Sequence, residues 1–148
     1  MTVEIFRRLA RFREGYDEAI LQELAEMLRR HMEEDEADQI MSDALALDNE
    51  IRFRLPCGLA VQDPGESHAG AGEEALVTLI GHAEDGDAIM AVAMAERLGV
   101  ENHLVLLELA SALARSLKRG GIEIEWGSAR AAMRMAACDG PARPGICR

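Results

Sequence analysis

Two segments of the sequence each combine a histidine with carboxylates, a set of side chains that binds transition metals in proteins. His31 and Glu34 lie in the segment HMEEDEAD, and His82 and Asp85 lie in the segment HAEDGDAIM. An imidazole next to a carboxylate is a ligand set that binds iron, manganese or zinc. A metal-binding enzyme or metal sensor that uses these four residues is therefore one interpretation of the chain.

The acidic turn Asp85-Gly86-Asp87 also has a purely structural interpretation. A calcium loop is excluded, because an EF-hand with Gly86 at its sixth position would place Ala83 and Gly81 where oxygen ligands are needed. Asp87 stands directly before the apolar run AIMAVAMA, at a position where aspartate caps a helix. We expect this turn-and-cap structure, with no metal and no cofactor. Because AIMAVAMA is apolar on every side, we expect its helix to be the buried centre of the domain.

Nucleophilic catalysis needs an activated cysteine or serine next to a base. Cys57 lies in the turn-like segment LPCGLA, and Ser67 precedes His68 in a glycine-rich loop over residues 63–73. A second catalytic element is missing in both places, and the sequence contains neither a phosphate-binding P-loop nor a dinucleotide-binding glycine motif. We predict no catalytic residue, which favours a protein that is not an enzyme.

The composition is that of a single globular domain. A chain of 148 residues is long enough to bury a self-sufficient core. Its longest uncharged apolar run, residues 88–95, is far shorter than the roughly 20 residues of a membrane helix, and the N-terminus lacks the apolar segment of a signal peptide. We expect a cytoplasmic protein with reduced Cys57, Cys138 and Cys147, with a Cys138–Cys147 disulfide as the alternative.

The charge is strongly negative and unevenly spread. The formal net charge is −11, and residues 14–101 contain five arginines against 22 acidic residues. Such a surface repels the phosphate backbone of nucleic acids, which excludes direct binding of DNA or RNA. It attracts a basic partner, and it is also compatible with an acidic mimic that blocks a nucleic-acid-binding protein.

Hydrophobic periodicity predicts a mainly helical domain. Asp17 is positioned to cap the second helix. In the helix that ends before Gly120, the polar residues Glu108, Ser111, Arg115 and Lys118 lie on the face opposite the leucine stripe. Helical spacing of apolar residues occurs in seven segments, which cover residues 5–12, 19–28, 39–47, 75–83, 88–98, 106–117 and 128–137.

Two short segments alternate apolar and charged residues with the period of a strand. These are EIRFRLP, which begins at Glu50, and GIEIEWG, which begins at Gly121. Arginines in the first would face glutamates in the second across an antiparallel pair. We predict a small β ribbon of residues 50–62 with 121–126. The expected fold class is therefore mainly α, bordering on α+β, with one domain over residues 1–138 and a flexible tail over 139–148.

Residues 19–47 and 75–98 form a weak internal repeat of helix, acidic turn and helix, which must stack on a neighbour to bury its apolar faces. The second unit resembles the HEAT-like repeats of the bacterial type, over about 25 residues well and about 55 poorly. The resemblance implies stacked antiparallel hairpins that act as a protein-binding scaffold. It depends on apolar positions, turn aspartates and a Leu-Gly ending, namely Ala75, Leu76, Leu79, Ile80, Asp85, Asp87, Ala93, Leu98 and Gly99.

The function that the sequence favours is a non-catalytic protein-interaction module, such as an adaptor, a small chaperone or an inhibitor. It would dock a basic or amphipathic segment of another protein, and a homodimer is compatible with the sequence. The binding surface that we predict is the dense group of acids Glu33, Glu34, Asp35, Glu36 and Asp38. The metal protein that uses His31, Glu34, His82 and Asp85 and the acidic nucleic-acid mimic are the alternatives.

Overall fold

A computed structural model describes residues 1–124, and the prediction of a mainly helical protein is confirmed. The predicted helix over residues 128–137, Cys138, Cys147 and the tail over residues 139–148 lie outside the described residues. The six helices found are α1 (Thr2–Gly15), α2 (Glu18–Arg29), α3 (Glu34–Arg54), α4 (Ala71–Asp85), α5 (Ala88–Arg97) and α6 (Leu104–Arg119).

The predicted β ribbon of residues 50–62 with 121–126 is wrong, because residues 1–124 contain no strand. Residues 50–54 are the last turn of α3, and Ile51 continues the buried helical series of Ala44 and Leu47. Phe53, which the ribbon would have buried beside Ile51, is 74% exposed. The alternation of apolar and charged residues over residues 50–55 is therefore the last part of the helical pattern of α3. Two ion pairs at i,i+4 spacing support this last part of the helix, namely Asp48–Arg52 at 3.4 Å and Glu50–Arg54 at 2.7 Å.

Helices α1 and α2 form a hairpin whose turn is set by local chemistry. Tyr16 adopts the left-handed conformation (φ 52°) directly after α1. Asp17 then caps α2, and its carboxylate accepts a hydrogen bond of 3.0 Å from the backbone N–H of Ala19, as the sequence predicts. The buried residues of the hairpin are large and apolar, chiefly Ile5, Phe6, Leu9, Leu24 and Leu28.

The acidic turn between α4 and α5 has the predicted turn-and-cap structure. Gly86 is left-handed (φ 73°) at the end of α4, a conformation that favours glycine. Asp87 caps α5, and its Oδ1 accepts a hydrogen bond of 3.2 Å from the backbone N–H of Met90. The aspartate before AIMAVAMA therefore begins a helix.

The expectation that α5 is the buried centre of the domain is wrong. In α5 only Ala91, Met94 and Ala95 are buried, and Ile89 is 83% exposed. The central helix is α4, in which every residue from Ala75 to His82 is buried. Helix α4 contacts α1, α5 and α6, whereas α5 contacts α4 and α6 alone among the described helices.

Helix α6 connects the two halves of the domain, since it contacts α3 as well as α4. It runs antiparallel to α3, because Ser116 donates a hydrogen bond to Asp43 and Gly120, further along the chain, lies next to Ile40, nearer the start of α3. It ends beside the end of α4, where Lys118 Nζ lies 3.7 Å from Glu84 Oε1. All six helices contribute buried apolar residues to one core cluster.

Within residues 1–124, no helix combines the length and the apolarity needed to cross a membrane.

Candidate functional site

The acids predicted to bind a partner form one surface at the start of α3, which we call the acidic cluster (Glu33, Glu34, Asp35, Glu36 and Asp38). Glu33 is the extended residue before the helix, and the next three acids occupy its first turn. Carboxylates are favourable there because the helix dipole is positive at its N-terminus. Ala37 and Ile40 are fully buried, which fixes the orientation of the helix and leaves the cluster on the surface.

The charge of the acidic cluster is only partly balanced within the protein. Arg29, at the end of α2, lies 3.5 Å from Glu34 Oε1 and 3.0 Å from Asp38 Oδ1. These side chains are all solvent-exposed, and exposed ion pairs contribute little to stability. Within residues 1–124, no ion pair forms with Glu33, Asp35 or Glu36. Three carboxylates of one helix start therefore remain available to a cationic partner.

The four residues of the metal interpretation lie in different settings. His31 is exposed after the end of α2, and Asp85 is exposed at the end of α4. His82 is buried in α4, and its Nδ1 lies 3.7 Å from Asp87 Oδ2, while Glu34 pairs with Arg29. In the part of the chain that the structure describes, no three His, Cys, Asp or Glu side chains form a group that could hold a metal ion. The structure therefore does not bring the four residues together as a metal site.

Among the described residues, no complete catalytic set surrounds Ser67 or Cys57. Ser67 Oγ lies 2.8 Å from His68 Nδ1 on an exposed loop. Cys57 is an exposed free thiol in a cleft of about 420 Å³. The cleft is formed where the chain after α3 passes the end of α5, and it is lined by Leu55, Pro56, Cys57, Gly58, Leu59, Ala60, Gly72, Arg97 and Leu98.

The most buried ion pair within residues 1–124 is one that the sequence did not reveal. Arg7 in α1 and Glu73 in α4 are 4% and 1% exposed. Arg7 Nε donates to Glu73 Oε1 at 2.7 Å, and Arg7 Nη2 donates to Glu73 Oε2 at 3.0 Å. This two-bonded geometry between guanidinium and carboxylate is the strongest form of the pair.

The same pair holds the chain between α3 and α4 in place. Two further guanidinium N–H groups of Arg7 donate to the carbonyl oxygens of Glu66 and His68, at 2.7 and 2.9 Å. The Glu73 carboxylate accepts from the backbone N–H groups of Gln62 and Gly70, at 2.9 and 2.8 Å. Residues 62–70, the half of this segment nearer to α4, are thereby attached to both α1 and α4.

Both members of the pair stay charged. Burial by itself would raise the pKa of Glu73, but hydrogen bonds from Arg7 and from the N–H groups of Gly70 and Gln62 outweigh it, so this pKa lies below its ordinary value. The hydrogen bond to Glu73 raises the pKa of Arg7, against the opposing effect of burial. A fully hydrogen-bonded pair of this kind organises the fold, and it offers no free group for chemistry.

One signal in the sequence could have revealed Glu73. It stands three residues after Gly70 and just before an apolar run, which is the spacing of a carboxylate that reaches back to the start of its helix. No comparable signal exists for Arg7, because its partner lies 66 positions away in the chain.

The surface of residues 1–124 thus offers carboxylates without an ion pair at the start of α3 and an apolar cleft beside Cys57. Comparisons of the chain with protein-family models, with curated proteins and with solved structures find no match.

Proposed function

We propose that the protein is a non-catalytic interaction module that docks a basic or amphipathic segment of another protein on its acidic cluster. The observation that carries the proposal is that Glu33, Asp35 and Glu36, at one helix start on the surface, form no ion pair within residues 1–124. Lysine and arginine side chains of a partner would supply the missing positive charge, and such complementarity gives both specificity and a fast rate of association.

Two further features support the proposal. The cluster stands on a helix whose opposite side is fully buried at Ala37 and Ile40, so we expect that binding costs little free energy for ordering the surface. The resemblance of the α4–α5 hairpin to HEAT-like repeats, which form protein-binding scaffolds, points to the same class of function.

The carboxylates also stabilise α3, by about 0.3–1 kcal/mol each, so the test must separate binding from folding. We would replace the three unpaired acids by amides (Glu33→Gln, Asp35→Asn, Glu36→Gln), which removes the charge and keeps the side-chain size. The matched control is Glu18→Gln, Glu26→Gln and Glu96→Gln. Its three acids are exposed, as are Glu33 and Asp35, while Glu36 is half-buried. The change in net charge is the same.

Immobilised native, cluster-variant and control-variant proteins would capture partners from a lysate of the native host, with quantitative mass spectrometry as the readout. We expect at least one captured protein with a basic segment to be lost with the cluster variant and kept with the control. Raising the salt concentration from about 0.1 to about 1 M, which shortens the screening length from about 10 to about 3 Å, should release the same protein. Identical capture by all three proteins would contradict the proposal.

Competition would distinguish the acidic mimic from the interaction module. If DNA displaces the captured protein from the cluster, the protein imitates nucleic acid. If DNA leaves the capture unchanged, the docked segment is an ordinary protein ligand.

A further inference from the structure

We propose that two copies of this chain associate through the outer face of α6, with their α6 helices antiparallel. This face consists of Leu104, Val105, Glu108, Ser111, Ala112 and Arg115. It lies away from the acidic cluster, and the proposal does not depend on the proposed function.

The outer face of α6 exposes large apolar side chains at its start. Leu104 is 68% exposed and Val105 is 42% exposed, although the opposite side of the same helix is packed into the core through Leu106, Leu113 and Leu117. A shallow groove of about 450 Å³ follows the face, lined by Leu104, Leu107, Glu108, Ser111 and Arg115. A partner that covers this face would remove the two exposed side chains from water.

The same face carries one acidic and one basic side chain. Glu108 and Arg115 are exposed and lie seven residues apart, which places them on the same side of the helix about 10.5 Å apart along its axis. Neither forms an ion pair with another side chain of residues 1–124. The face therefore presents one negative and one positive group at a fixed separation.

This arrangement is self-complementary. If a twofold axis passes between Ser111 and Ala112, Glu108 of each copy lies opposite Arg115 of the other, because a twofold interface uses the same patch twice. The small side chains at the axis allow the helices to approach to the 8–10 Å that is typical of packed helices. Leu104 and Val105 then pack against Lys118 and Arg119 of the second copy. These long cationic side chains have apolar stems that can cover them.

The contact is small, since each copy contributes a single helix face. Interfaces that bury less than about 1,200 Å² belong to weak or transient complexes. We therefore expect a concentration-dependent dimer, which sedimentation equilibrium of the full chain at increasing concentration would detect.

Charge exchange provides the decisive test. In the variant Glu108→Arg, two arginines meet at each of the two contacts, and in Arg115→Glu two glutamates meet. We expect each variant alone to dimerise more than about tenfold more weakly than the native protein, since like charges meet twice. An equal mixture of the two variants should restore association as a heterodimer, and the doubly exchanged chain should restore the homodimer.

Matched controls change the same charges elsewhere on exposed helices. Glu96→Arg and Arg30→Glu replace exposed residues of α5 and the end of α2, and both should dimerise like the native protein. All of these residues are exposed, and circular dichroism would verify that each variant is folded. The proposal is overturned if the native chain remains monomeric up to about 1 mM, if the single variants associate like the native protein, or if mixing them restores nothing.

Discussion

Helices α4 and α5 are neighbours, and both are rich in apolar residues, yet one is central and the other lies at the edge. Every residue of α4 from Ala75 to His82 is buried, while three residues of α5 are. The difference follows from the number of helices around each. Among the helices of residues 1–124, α4 packs against α1, α5 and α6, and α5 packs against α4 and α6. Apolar residues on all sides of a helix thus permit burial, but the neighbouring helices decide it.

The two helices also differ at their N-terminal ends, where α4 is held by a long-range contact and α5 by a local one. Helix α4 begins beside the buried pair of Arg7 and Glu73, whereas α5 begins at Asp87, an exposed cap with one local hydrogen bond. A contact that links distant segments is expected to matter more than one within a single turn.

The largest effect is expected at the start of α4, for Glu73→Gln. Each carboxylate oxygen accepts two hydrogen bonds, so an amide nitrogen in either place would face two donors. The substitution also removes the nearer of the two carboxylates that pair with buried Arg7 and leaves only Glu4, at 3.8 Å. Breaking a buried pair from one side costs about 3–5 kcal/mol, and urea unfolding would measure the loss. A cost below about 1 kcal/mol, as for an exposed pair, would show that the pair is not structurally important.

The pair of Arg7 and Glu73 should also make the free energy of unfolding depend on pH, which provides a second test of its role. The pKa of Glu73 is lowered in the folded state, so its stabilising contribution is fully present above the unfolded value of about 4.3 and is lost as the pH falls through the folded value. Unfolding measured from pH 7 downwards should show this loss in the native protein. Glu73→Gln lacks the titrating group, and its acid-dependent loss should be smaller.

The next largest effect on stability is expected within α4, and we compare it with a substitution within α5. Leu79→Ala removes a fully buried side chain of α4, and such changes cost about 2–5 kcal/mol because a cavity remains. Ile89→Ala removes a side chain of similar size from α5 that is mostly in water, where substitutions stay within about 0.5 kcal/mol. Thermal or urea unfolding of both variants would check the contrast. Equal losses would mean that α5 is as central as its sequence suggests.

The smallest effect is expected at the start of α5. Asp87→Ala removes the cap of α5, and losing such a cap costs about 1 kcal/mol. Asp85→Ala, two residues earlier and exposed, is the matched control and should change the free energy of unfolding by less than about 0.5 kcal/mol. If both variants lose the same stability, the effect arises from the charge of the acidic turn and not from the cap.

Much of the local structure was predictable, because its signals lie within a few residues. The caps at Asp17 and Asp87 and the polar face of α6 were all visible as spacings in the sequence. The ribbon was predicted in error because five residues with a strand period cannot be distinguished locally from the end of α3. The acidic cluster was also visible in the sequence, but its partial neutralisation by Arg29 depends on how α2 meets α3.

Within residues 1–124, the amino-acid sequence by itself indicated the six helical segments apart from the end of α3, where α2 and α5 begin, and where negative charge accumulates. These properties depend on side-chain periodicity and on hydrogen bonds to nearby backbone groups. Only the tertiary structure decided that α4 and not α5 is central, that Arg7 finds Glu73, and that Glu108 and Arg115 remain on an open face of α6. Burial and ion pairing depend on which distant segments meet, and no local pattern specifies that.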